Sequence, residues 1–79
     1  MKLHLQIRLL SEEAFHQIEI EDHSQALCTD LICALQENWS LSEHPFRLFC
    51  LQRKGFLKDS LSLEQNQVCD QDQLLLLPL

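Results

Sequence analysis

Cys28, Cys33, Cys50 and Cys69, together with His4, His16, His23 and His44, are the residues of this chain whose types could hold a metal or act as nucleophiles. Structural zinc sites are built from thiolates and imidazoles delivered in close pairs, with about two to four residues between the members of a pair. Cys28 and Cys33 have that separation, but no second pair of Cys or His follows at ligand spacing. Five positions apart on a helix is about 140° around its axis, so these two thiols diverge. Ordinary small buried or half-buried thiols are therefore expected, with no metal and no other cofactor. His16 falls beside a turn and is expected to be exposed or hydrogen-bonded there rather than to act as a ligand.

Catalytic chemistry finds no better footing. A nucleophile needs a base within hydrogen-bond reach, and a hydrolytic site needs a cleft. Ser, His and Asp all occur, but in no recognisable motif, and Glu12, Glu13, Glu19, Glu21 and Asp22 read as a solvated acidic face. No catalytic residue is assigned and no enzymatic activity is expected. A net charge of −6, with only six Lys and Arg, weighs against nucleic acid, whose phosphates demand basic groups. It also weighs against docking on an anionic membrane surface. The opening MKLHLQIRLL alternates apolar residues with His4, Gln6 and Arg8, which is a strand pattern and not the continuous apolar core of a signal peptide. No run approaches the roughly 20 apolar residues of a membrane span. A cytoplasmic location with reduced thiols is the expectation.

The elements follow in order. At 79 residues, 46% hydrophobic and 23% charged, the chain has the composition of one small globular domain spanning 1–79. Leu3, Leu5, Ile7 and Leu9 alternate with polar residues, and Ile18 and Ile20 resume the alternation after Ser11-Glu12-Glu13, predicting a hairpin. Strict phase would point His16 inward and Phe15 outward, and a bulge near the turn is expected to exchange them. Asp22 or Ser24 can cap a helix, with Gln25 placed to complete a capping box behind Asp22. Leu27, Leu31 and Leu35, joined by Cys28, Ile32 and Trp39, then form the apolar stripe of a helix of about four turns. Leu41 is the apolar peg of the loop that follows. Residues 46–51 read as a third strand and Arg53-Lys54-Gly55 as its turn, with Gly55 taking the positive φ. Residues 56–57 form a short fourth strand and 59–67 no more than a helical turn. The last strand, 73–77, has Leu on both faces, so it is expected to be occupied on both faces and closed by Pro78. A hairpin, a helix and then strands give an α+β fold. A mixed sheet of four to five strands packs on one helix in ββαβββ order, with the first and last strands as parallel neighbours.

The residues that carry the C-terminal third, Leu57, Leu63, Val68, Leu74 and Leu76, resemble the ubiquitin-like (β-grasp) superfamily. From Leu63 the spacing Leu-x4-Val-x5-Leu-x-Leu is similar to that of ubiquitin. The Leu41-x3-Pro45 loop followed by Arg47-Leu48-Phe49 resembles the loop and third strand of ubiquitin-like domains. Conjugating members end in a flexible Gly-Gly tail. This chain ends Leu77-Pro78-Leu79 off the strand, and its one glycine is Gly55, so a conjugated modifier is expected only if a tail is missing. A free-standing protein of this length looks most like the YukD/EsaB family, cytosolic accessories of type VII (WXG100/Esx) secretion. That resemblance implies a non-conjugated adaptor that binds a protein, such as a component of the secretion machinery, or a second copy of itself. A ubiquitin-like interaction domain of another system or of a larger protein is the alternative.

The resemblance also implies where the adaptor binds. Leu74 and Leu76 face the helix by the family spacing, so Leu75 and Leu77 face out, and Phe49 on the neighbouring strand joins them. Contiguous apolar side chains on an open sheet mark interaction sites, and Phe49, Leu75 and Leu77 are the expected protein-binding face.

Overall fold

In the computed structural model, which describes residues 2–22 and 24–79, the opening alternation becomes strand β1 (Leu3–Leu9). Leu3, Leu5 and Ile7 are buried, and His4, Gln6 and Arg8 point the other way. Strand β2 (His16–Ile20) pairs with it antiparallel, in the register Leu3↔Ile20, Leu5↔Ile18 and Ile7↔His16. This pairing is unbroken, so the bulge expected near the turn does not form. His16 keeps strict phase and lies on the helix side, its ring 4.9 Å from that of Trp39. Phe15 lies instead under the Arg8 guanidinium, 5.3 Å from the ring centroid. Each orientation that looked odd in the sequence has a partner that accounts for it. His23, one of the candidate ligands, lies outside the described residues.

The helix starts later than the capping signals indicate. Helix α1 is Cys28–Asn38, about three turns rather than four. Asp22 closes a local turn, where its carboxylate accepts from the Ser24 backbone N–H (3.2 Å) and hydroxyl (2.6 Å), while its carbonyl accepts from Gln25 and Ala26. Leu27 is the N-cap and makes no side-chain cap bond. The first helical N–H groups find carbonyls across the fold, Cys28 to Leu61 at 2.9 Å and Thr29 to Asp59 at 3.3 Å. A tertiary partner thus satisfies donors that a capping side chain would otherwise take. Leu27, expected on the buried stripe, is 39% exposed, and the stripe is Cys28, Leu31, Ile32 and Leu35.

Strands β3 (Phe46–Cys50), β4 (Gly55–Phe56) and β5 (Gln73–Pro78) complete the sheet. Its order is β2-β1-β5-β3-β4, with β1 and β5 parallel and the other pairs antiparallel. This is the α+β, ββαβββ arrangement, with the last strand at the centre of the sheet. In the β3–β4 turn, Lys54 (φ 54°) takes the left-handed conformation expected of Gly55. Gly55 is the first residue of β4 instead.

Residues 57–72 form an ordered loop under the helix start. The capping-box geometry looked for at Asp22 and Gln25 occurs here, where Gln65 N–H donates to Ser62 Oγ and Ser62 N–H to Gln65 Oε1, both at 3.0 Å. Leu57, Leu63 and Val68 drop from this loop into the core, joining Leu3, Leu5, Ile7, Leu48, Leu74 and Leu76. Leu41 packs against the same core from its loop.

Leu76 is fully buried and pairs with Leu9 on one side and Leu48 on the other. Leu76→Ala is expected to cost about 2–5 kcal/mol through lost burial and the cavity left behind. Urea denaturation checks this, with a lowered midpoint and an unchanged slope as the expected result.

Candidate protein-binding face

α1 covers one face of the sheet, and the opposite face carries a row of side chains in register. Arg8 on β1 stands beside Leu75 on β5, Leu75 beside Phe49 on β3, and Phe49 beside Phe56 on β4. The same phase puts Arg47 beside Leu77. Phe49, Leu75 and Leu77 therefore share the sheet face away from the helix, because alternate residues of β5 and β3 (Leu74, Leu76, Leu48 and Cys50) fill the core.

Exposure within this row differs from the expectation. Leu75, flanked by Arg8 and Phe49, is only 8% exposed, because a central-strand side chain is shielded by larger neighbours on both sides. Phe49 and Leu77 are half-buried. The most open apolar group of the row is Phe56, 48% exposed. Its ring meets that of Phe49 edge to face, with centroids 5.1 Å apart and planes at 79°, a favoured aromatic geometry. The Arg47 guanidinium sits 4.5 Å above the Phe56 ring. Sequence reading missed Phe56 and Arg47, although pairing 56 against 49 would have placed that phenylalanine on the outer face.

Polar groups border the row. Gln6, Gln73 and Gln52 link side by side, with Gln73 Nε2 donating to Gln6 Oε1 at 3.2 Å and Gln52 Oε1 accepting from the Gln73 backbone N–H at 2.9 Å. At the hairpin, Arg8 Nη1 donates to the Glu12 carbonyl at 2.6 Å and lies 3.3 Å from those of Leu9 and Leu10. Its cation is thereby fixed beside the turn. An apolar centre with hydrogen-bonded polar surroundings has the anatomy of a protein interface.

No protein-family model matches this sequence, and no curated protein is significantly similar to it. Its fold, by contrast, recurs among solved structures. The ubiquitin-like domain of Plasmodium falciparum Dsk2 superposes with a TM-score of 0.78 at 19% identity, each chain fully covered. A ubiquitin-like domain of tubulin-binding cofactor B gives 0.79 at 17%, covering 99% of this chain and 90% of that one. The ubiquitin of Caldiarchaeum subterraneum gives 0.76 at 20%, covering 100% and 95% respectively. The chain has the ubiquitin-like β-grasp fold.

The thiols separate into two classes. Cys28 and Cys50 are buried, Cys33 and Cys69 exposed, and all four are free. Cys28 and Cys33 thus diverge across α1, and among the described residues no three His, Cys, Asp or Glu side chains gather as metal ligands. Burial, followed by the nearby Asp59 carboxylate, pushes the Cys28 thiol up to about 12 from 9.0. In the folded protein it stays protonated where an unfolded chain would lose the proton. Its contribution to stability is complete below pH 9 and is lost as pH rises toward about 12. The expected slope is at most roughly 1.4 kcal/mol per pH unit in that window. Denaturation of wild type and Cys28→Ala across it should show a shallower decline in the variant. A thiol reagent at neutral pH should label Cys33 and Cys69 in the folded protein, and Cys28 and Cys50 only after unfolding.

Proposed function

We propose that this chain is a ubiquitin-like interaction domain that binds a protein partner through the sheet face opposite α1. The observation that carries the reading is the continuous outward row Leu75–Phe49–Phe56, bracketed by Arg8 and Arg47. Two aromatic rings and an arginine at one spot are the residue types that dominate interface energetics. The fit to the ubiquitin-like domains of Dsk2 and tubulin-binding cofactor B supports a binding module rather than an enzyme. Within this reading the chain acts without being conjugated. The narrower role, accessory to type VII secretion in the cytoplasm, is supported by the sequence resemblance to YukD/EsaB alone, and the solved structures favour the wider reading. Among the described residues no helix is long and apolar enough to cross a membrane.

The test pairs affinity capture with stability. Wild type and Phe49→Ala serve as bait, and the captured protein is then titrated against each. Phe49→Ala is expected to weaken binding by more than about 1 kcal/mol, roughly fivefold in Kd, and to lower the melting temperature by several degrees without unfolding the domain, because the edge-to-face pair with Phe56 is lost. A variant that melts far below wild type would make Phe49 a core residue, and one that binds unchanged would make this face idle surface. Tandem recovery of a WXG100 substrate or its membrane ATPase would support the narrower role.

A further inference from the structure

Charge is not spread evenly along this acidic chain. Between Arg8 and Arg47 there is no Lys or Arg and there are eight carboxylates, among them Glu12, Glu13, Glu19, Glu21 and Asp22. Between Glu43 and Asp59 there is no carboxylate, and Arg47, Arg53, Lys54 and Lys58 hold four of the six cations of the chain. The strand order converts this segregation into geometry. The five named acids lie on β2 or the turns at its two ends, and the four cations lie on β3, β4 or the turns beside them. β2 and β4 are the opposite edges of the sheet.

Four inter-strand spacings separate these edges, about 19 Å, which is more than twice the Debye length of about 8 Å at physiological ionic strength. The two sets therefore barely neutralise each other within one molecule. Lys2 pairs with Glu19 at 3.8 Å, and the acidic edge stays net negative with that pair counted. Both edges are exposed where it matters. Glu13, Glu21, Lys54 and Lys58 are all exposed, and Phe56 stands 48% open between the two lysines. The basic end is also held in shape, because Arg53 reaches across to the Asn66 carbonyl and, at 2.9 Å, to Gln67 Oε1. Lys58 is fixed by its backbone, whose N–H donates to Asn66 Oδ1 at 2.7 Å.

We propose that this protein associates head to tail with a second copy of itself, the acidic β2 edge of one molecule seating on the basic β3–β4 edge of the next. The charges are opposite in sign and lie on surfaces that do not overlap, so one molecule can offer both at once. Such a contact is heterologous, and it repeats into a chain or closes into a ring instead of stopping at a symmetric dimer. It uses the two edges of the sheet and meets the aromatic row only at its β4 end, where Phe56 and Arg47 lie, leaving Phe49, Leu75 and Leu77 uncovered. It therefore goes beyond the partner-binding reading, and edge variants that keep Phe49 in place test it separately from Phe49→Ala.

Sedimentation or light scattering on the purified protein decides. Wild type should show a mass that rises with protein concentration at about 0.1 M salt, where screening reaches ~10 Å and the two edges are still independent, and should be monomeric at about 1 M, where it reaches ~3 Å. Lys54→Glu with Lys58→Glu blocks the basic edge, and Glu13→Lys with Glu21→Lys blocks the acidic edge. Each double variant alone should be monomeric at low salt, and an equimolar mixture should form a 1:1 dimer and nothing larger, since one good edge of each kind remains. Asp30→Lys with Glu37→Lys makes the charge change of the acidic-edge variant on α1 instead and should associate like wild type. Circular dichroism confirms that each variant is folded. A wild type monomeric at low salt overturns the proposal, as do edge variants that still associate alone or a mixture that stays monomeric.

Discussion

β5 is the strand on which the other elements depend. Its backbone bonds β1 on one side and β3 on the other, so all its ladder groups are taken up inside the sheet. Leu74 and Leu76 are fully buried under α1, while Leu75, on the opposite face, is buried by its cross-strand neighbours. A parallel pair needs a long crossover between its strands, and here nearly the whole chain separates β1 from β5. The two termini of the sequence must therefore meet before the core closes. That non-local pairing is expensive in loop entropy, and it is offset by the density of leucine at the meeting point.

The loop of residues 57–72 makes this closure possible and also explains the helix. It carries Leu57, Leu63 and Val68 into the core, and it offers the Leu61 and Asp59 carbonyls to the first N–H groups of α1. In return the Ala26 carbonyl accepts the Leu63 N–H at 2.9 Å. Asn66 organises the loop from within. Its side-chain amide donates to the Lys58 and Ser62 carbonyls, each at 3.0 Å, while its oxygen accepts from the Lys58 N–H. A buried amide with this many partners rigidifies the segment around it, which keeps helix and sheet in a fixed relation without a side-chain cap on α1.

What could be read from the residues themselves was whatever depends on periodicity: strand alternation in β1 and β5 and the α1 stripe at Leu31 and Leu35 survive into the structure because burial enforces the period. The inward set Leu57, Leu63, Val68, Leu74 and Leu76, three of them in an irregular loop, was legible only through the resemblance to ubiquitin-like spacing. The features that were misread depend on distant partners. Asp22 carries a cap signal, but Leu61 and Asp59, over thirty positions away in the chain, hold the helix start. His16 points toward the helix because its register with Ile7 is unbroken, and the Trp39 ring meets it there at a 45° tilt; a local argument for a bulge could not know that. Phe49, Leu75 and Leu77 were placed away from the helix by the ubiquitin-like spacing of Leu74 and Leu76 combined with strand alternation, but how deeply Leu75 is shielded depends on Arg8 and Phe49 across two different pairings. Sequence periodicity assigns faces, and cross-strand neighbours assign exposure.

The same distinction bears on charge. Net charge alone argues against polyanionic partners. The sheet order, however, collects Arg47, Arg53, Lys54 and Lys58 at one edge and the β2 acids at the other, so local field and net charge disagree in sign at the β3–β4 end. Arg47 there lies over Phe56, which couples that basic edge to the end of the aromatic row. An approaching acidic surface would be steered to the cations first and would find an open phenylalanine at the same place. In the proposed association, steering and anchoring would then come from neighbouring side chains of one short antiparallel pair, β3 with β4.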